Sequence, residues 1–205
     1  MQSEKREHWE KVYTTKTPDQ VSWTQEKPKT SLDYIKACKL TKDAEVIDIG
    51  GGDSLLVDFL LQENYSKISV LDISQQAIDN AKKRLGSLAD SVTWIVSDII
   101  DFKPNKKYAI WHDRATFHFL TDEVEIDTYK DLVRQSAMSN LIIGTFSKEG
   151  PLKCSGLNIS QYNSQDLSNC FGSTFELVDA KTEDHTTPFD THQNFQFVHL
   201  KKKLT

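Results

Sequence analysis

From residue 45 onward the chain alternates short apolar runs with stretches of helical periodicity. That alternation restricts it to βαβ units on a mostly parallel sheet. Residues 45–49 (E-V-I-D-I) read as a buried strand, after which Leu55, Leu56, Phe59 and Leu60 share one helical face. Residues 67–72 form a second strand, and Asp72 or Ser74 caps a helix whose apolar stripe is Ile78, Ala81 and Leu85. Strands follow at 92–96, 108–111 and 141–146, with a helix at 123–137 before the last of these and a short helix at 165–170 after it. The runs at 175–181 and 195–200 have no convincing helix between them, so they are expected to pair antiparallel. The expected class is α/β, a seven-stranded, mostly parallel sheet with an antiparallel last strand and helices on both faces. One or two helices, the second at 32–39, precede it.

No repeat or linker divides the 205 residues, which are expected to form one domain. Within it, residues 1–40 read as a helical lid or cap, 41–147 as the ligand-binding core, and 148–205 as terminal strands and acceptor-side loops. A formal charge of −5 argues against a broad nucleic-acid footprint, and the basic run 201–203 reads as a solvated strand end. No apolar run approaches the roughly 20 residues of a membrane span. The charged N-terminus lacks the apolar region of a signal peptide. Cys38, Cys154 and Cys170 are odd in number and widely spaced, which fits neither a disulfide framework nor a zinc knuckle. A cytoplasmic location is expected.

Three of the eight glycines stand together at Gly50, Gly51 and Gly52, between the first strand and the first core helix. In an open α/β sheet, ligands bind at that end of the strands. The phosphate-loop pattern G-x-x-x-x-G-K-[ST] is absent. The dinucleotide pattern G-x-G-x-x-G fails at its third glycine, where Leu55 stands. Asp72 closes the second strand twenty residues past Gly52, where a carboxylate can accept both hydroxyls of a ribose. Asp98 ends the third strand, where it can accept from an exocyclic amino group. With Asp48 these residues make an anionic crevice, better suited to ribose, adenine and positive charge than to phosphates.

The run from Asp48 to Ser54 (D-I-G-G-G-D-S), with Asp72 and Asp98, resembles the cofactor motifs of class I (Rossmann-like) S-adenosylmethionine-dependent methyltransferases. The resemblance covers residues 32–146. It implies S-adenosyl-L-methionine as cofactor, with Gly50, Gly51 and Gly52 at its methionine part. It further implies Asp72 on the ribose and Asp98 with Ile99 around the adenine. Asp48 and Ile73 are counted with the cofactor-binding residues. The family's frequent third glycine is Ser54 here, as in the similar G-C-G-N-S-x-L of elongation-factor lysine methyltransferases.

The fourth strand runs into I-W-H-D-R-A-T-F-H-F-L, facing the expected position of the methyl group. His112 is a candidate general base, because an unperturbed pKa of about 6.5 lies near working pH. Asp113 is placed to orient or deprotonate an amine, and Arg114 to hold an anionic part of the acceptor. Alternatively Asp113 and Arg114 are a structural pair, and His118 is a core histidine. W-H-D-R-A-T is similar to W-D-R-G-A of thiopurine methyltransferases and D-K-G-T of the elongation-factor enzymes, which differ in acceptor class. Trp9 and Tyr13, four apart on a helix, are expected over the cofactor as a lid or as an anchor of that helix. Irregular stretches at 149–158 and 184–193 are expected near the acceptor. The spacing of Cys154, His185 and His192 gives no support for a metal site.

The leading expectation is methyl transfer to a small-molecule acceptor, with a protein lysine as the alternative acceptor. An NAD(P)-dependent oxidoreductase is opposed by Leu55 and by the lack of a Tyr-x-x-x-Lys pair. A cofactor-binding module without turnover is a third class. Oligomeric state is not legible in the sequence.

Overall fold

The computed structural model describes residues 2–204. Helix α1 (Gln2–Thr15) and helix α2 (Lys29–Ala37) precede strand β1 (Val46–Ile49), which is buried at every position. The chain continues through α3 (Leu56–Gln62), β2 (Ile68–Asp72), α4 (Gln75–Leu85), β3 (Val92–Val96) and β4 (Tyr108–Arg114). Next come α5 (Glu123–Ser136), β5 (Ala137–Phe146) and a small hairpin, β6 (Lys153–Cys154) and β7 (Leu157–Asn158). Helix α6 (Ser164–Phe171), β8 (Phe175–Thr186) and β9 (His192–Lys202) complete it. Of the two caps considered for α4, Ser74 is the one used, its hydroxyl accepting from the Ala77 amide.

The sheet order is β3-β2-β1-β4-β5-β9-β8. Strand β9 runs antiparallel to both β5 and β8, so the other strands share one direction and the last is reversed. The chain builds outward from β1 to β2 and β3, then returns to place β4 on the other side of β1. That reversal opens a crevice at the carboxyl ends of β1 and β4. One apolar layer packs α2, α3 and α4 on the sheet through Leu32, Ile35, Leu60 and Ile78. The opposite layer packs α5 and α6 through Tyr129, Val133, Leu167 and Phe171. Among the described residues no helix is long and apolar enough to cross a membrane.

Several elements run longer than the sequence indicates. Strand β4 continues three residues past Trp111, because His112, Asp113 and Arg114 pair in register with Ile142, Ile143 and Gly144 of β5. Strands β8 and β9 extend through most of residues 184–193, expected to be irregular, and close in a turn at 187–191. Residues 149–158 contain the β6–β7 hairpin. The basic C-terminal run is tied down: Lys202 donates to the Arg134 and Ala137 carbonyls, at the C-terminal end of α5.

Candidate active site at the β1–β4 switch point

After β1 the backbone turns through Gly50 at φ +63° and Gly52 at φ +41°, both in the left-handed region. A Cβ on Gly52 would stand 2.7 Å from Asp72 Oδ2 and 2.9 Å from Tyr13 Oη. A Cβ on Gly50 would overlap the Thr116 hydroxyl. The glycines thus let the β2 carboxylate and the β4 turn close against the loop, and Gly50 and Gly51 form part of the floor of a cavity of about 590 Å³.

Asp72 and Asp98 line that cavity, with Leu71, Ile73 and Ile99 as apolar walls. Asp72 is buried, and its Oδ1 accepts from the Ser74 amide at 2.8 Å. Burial lifts its carboxyl to about 7, with the charges of Asp48 and Glu10 adding to the effect. Asp98 is also buried, and its Oδ1 accepts from the Ile100 amide at 3.1 Å. Asp53, at the end of the glycine loop, is paired with Arg84, which also holds Asp58 at 2.8 Å.

Strand β4 divides its polar residues between two faces. His112 and Arg114 face the cavity. His112 Nδ1 lies 2.7 Å from Asp48 Oδ1, and Nε2 lies 2.8 Å from Ser31 Oγ. A carboxylate at Nδ1 fixes the ring proton there, leaving Nε2 as the acceptor for the Ser31 hydroxyl. Asp113 points the other way, into the core. Its oxygens accept from Tyr129 Oη at 2.6 Å and from the Thr116 and Phe117 amides at 2.9 and 3.2 Å. Burial raises its carboxyl to about 6 against those donors. The expected contact between Asp113 and the acceptor does not fit this placement; Asp113 fixes the turn after β4. Nor are Asp113 and Arg114 a pair, since strand alternation separates them. His118 is a core histidine that accepts from the Phe146 amide at 3.2 Å, and burial pushes it down to about 3.

Helix α1 roofs the cavity. Trp9 and Tyr13 line it together with Trp23 and Phe119. The Trp9 ring packs against Trp23 at 5.7 Å and Phe119 at 5.1 Å, edge to face. The two roles considered for Trp9 and Tyr13 are therefore combined, because the same rings face the cavity and hold the helix. Glu10 accepts from the Ser74 hydroxyl and, at 3.2 Å, from the Gln76 amide at the start of α4. Lys5 pairs with Glu125 at 2.5 Å.

Cys154 lines the cavity with a buried thiol that desolvation pushes up to about 12, unsuited to a nucleophile. His185 donates to the Ser22 carbonyl at 2.7 Å, and His192 meets Thr186 in an exposed position. Among the described residues no group of His, Cys, Asp and Glu is placed to hold a metal. Sequence reasoning missed Ser31, Glu10 and Lys5, none of which sits in a recognisable motif.

Residues 46–136 match the family described as "Methyltransferase domain". Over that stretch, a little under half of the chain, it is similar to methyltransferase domains, and its fold is that of S-adenosylmethionine-dependent methyltransferases. Malonyl-[acyl-carrier protein] O-methyltransferase 1 of Ilyobacter polytropus is 30% identical over 86 residues, 42% of this chain. The chain spans 32% to 40% of the length of the curated relatives it matches. A SAM-dependent methyltransferase from Anabaena variabilis superposes with a TM-score of 0.76 at 13% identity, covering 98% of this chain and 95% of that one. The N-methyltransferase NodS from Bradyrhizobium japonicum, solved with S-adenosyl-L-homocysteine, gives 0.64 at 11% identity, covering 88% and 90%.

The donor set of the cavity fits S-adenosylmethionine. Buried carboxylates at the ends of β2 and β3 are acceptors for hydroxyl and amino groups. The glycine floor brings backbone, rather than side chains, to the cavity between them. The aromatic roof of Trp9, Tyr13, Trp23 and Phe119 supplies an apolar wall opposite the glycines.

Proposed function

We propose that the chain transfers a methyl group from S-adenosylmethionine to a small-molecule acceptor by in-line displacement. The observation carrying this reading is that one cavity joins the acidic, glycine-floored ends of β1 to β3 with His112 and Arg114 of β4. In this reading Asp72 accepts the ribose hydroxyls with Ile73 beside them, and Asp98 and Ile99 flank the adenine. Gly50, Gly51 and Gly52 admit the methionine end close to the backbone. Bound there, the cofactor supplies a sulfonium methyl group, whose displacement needs alignment and dryness more than covalent help. Trp9 and Tyr13 exclude water. Asp48 holds His112 in the tautomer whose Nε2 carries the lone pair, and the Ser31–His112 pair receives the acceptor's departing proton.

A small acceptor is favoured by the roof of α1 and the Trp23 segment over the cavity. The name of the malonyl-[acyl-carrier protein] relative is in keeping with a small acyl group. Free thiols at Cys38, Cys154 and Cys170 suit a reducing, cytoplasmic setting.

Calorimetric titration with S-adenosylmethionine, S-adenosylhomocysteine, NAD and NADP tests the reading. Binding of the first two alone is the expected result. Binding of a nicotinamide dinucleotide alone overturns it. Labelled methyl donor, offered with small molecules and with protein fractions, then separates the acceptors. Label appearing only in protein lysine replaces the small-molecule reading with the protein one.

A further inference from the structure

Arg114 carries a charge that its surroundings leave largely unanswered. Nη1 donates to the Trp23 carbonyl at 3.0 Å, whereas Nε and Nη2 are buried without any hydrogen-bond partner. Among the described residues, no carboxylate comes within ion-pair distance of it. Glu183 contributes to its field, but that carboxylate is engaged by the Thr30 hydroxyl and by Gln25 Nε2 at 3.2 Å. One face of the guanidinium rests on the Phe195 ring, 4.6 Å from its centroid.

A second donor is stranded nearby. His118 Nδ1 accepts from the Phe146 amide, so its ring proton sits on Nε2, and that buried atom also lacks a partner. The charge of Arg114 reaches this ring and helps to keep it neutral. Buried unpaired donors each cost about 1–3 kcal/mol, so such a group in a native structure needs an explanation. An acceptor carried by a ligand in the cavity that Arg114 lines would answer its free donors. With the Arg114 guanidinium facing the cavity and Asp48 and Glu183 already in its field, the arrangement suits a single negative charge. The planar fork matches a carboxylate, and the neighbouring Trp9, Trp23 and Phe119 rings suit an apolar body.

We propose that Arg114 anchors a carboxylate of the methyl acceptor, which makes the acceptor a small carboxylic acid with an apolar body. This rests on the methyltransferase reading above. Arg114 stands on the β4 side of the crevice, two residues beyond His112, whereas the nucleoside-suited carboxylates end β2 and β3.

The test uses the full chain saturated with S-adenosylhomocysteine. Aliphatic and aromatic monocarboxylates, each with its matched neutral amide, are titrated by calorimetry and by tryptophan fluorescence. At least one carboxylate is expected to bind about tenfold or more tighter than its amide, as a charge-assisted pair implies. Arg114→Met should remove that preference and Arg114→Lys should weaken it, while S-adenosylhomocysteine affinity shifts less than about threefold. Equal binding of acids and amides, no binding by any acid, or an Arg114→Met protein that retains the preference overturns the proposal. So does a loss of S-adenosylhomocysteine affinity in either variant, which would assign the guanidinium to the cofactor's own carboxylate. Should Arg114→Met not fold, the Lys variant and the acid–amide comparison in the wild type still decide the matter. Failure of the wild type to bind S-adenosylhomocysteine is a separate result and removes the methyltransferase reading itself.

Discussion

The acidic, glycine-lined half of the cavity, proposed for the cofactor, is built from neighbours in sequence, β1 with its glycine turn and the ends of β2 and β3. The other half, proposed for the acceptor, is assembled from distant pieces: Trp9 on α1, Trp23, Ser31 on α2, His112 and Arg114 on β4, and Cys154 on β6. The first half needs only strand–turn–helix geometry to form. The second exists only once the N-terminal segment has docked on the sheet. Buried acids mark the same contrast. Asp72 faces the cavity with few donors, while Asp113 is sealed in the core among three.

The comparison can be broken by single substitutions. His112→Asn should lower kcat by about a thousandfold, within the usual range for losing a general base, with S-adenosylhomocysteine affinity nearly unchanged. A variant that lost the cofactor yet kept turnover at saturation would put His112 in the wrong half. Gly52→Val should weaken S-adenosylhomocysteine binding by about a hundredfold, because its Cβ meets Asp72 and Tyr13 and its φ disfavours a branched residue. Calorimetry beside a thermal melt separates that effect from misfolding.

Asp72→Asn should cost roughly tenfold in cofactor affinity at pH 8. It also carries a pH signature. With its carboxyl at about 7, Asp72 is mostly protonated at pH 6 and ionised at pH 8, so wild-type affinity should rise across that interval. The Asn variant should be flat. The same raised pKa makes the folded state hold its proton longer than the unfolded state. That contribution to stability is full below the unfolded value and is lost as pH rises through about 7. The smallest effect on ligand binding belongs to Asp113→Asn. It should lower stability by about 1–3 kcal/mol in denaturant titration, with cofactor affinity intact. A large affinity change there would bring Asp113 back to the cavity.

These residues also show what a sequence can reveal. The placement of Gly50–Gly52, Asp72 and Asp98 at the strand ends was legible because strand ends are local features. Asp113 was misjudged for a physical reason. A strand ending at Trp111 leaves His112, Asp113 and Arg114 together in a loop, free to converge on one ligand. Pairing with β5 extends the strand through all three, and a period of two then sends Asp113 to the opposite face. Ser31 was invisible because nothing in K-T-S-L-D distinguishes it. Its role comes from α2 packing beside β4, a contact made across 81 residues. The antiparallel terminal pair was legible from a missing helix, but the continuation of β8 from Thr182 to Thr186 was not, since most of its side chains are exposed and carry no apolar signal.

The roof has a kinetic consequence. Helix α1 is held by charge at two points, Lys5 on Glu125 and Glu10 on the first turn of α4, beside its aromatic contacts. Attraction between partly exposed charges is screened over about 8 Å at physiological ionic strength, and over less as salt rises. Added salt should therefore shorten the dwell time of whatever lies beneath the helix, measurable as a faster off-rate of S-adenosylhomocysteine in stopped flow. Where product release limits turnover, the enzyme would run faster in a saltier medium, its clock set by the ions outside rather than by the chemistry within.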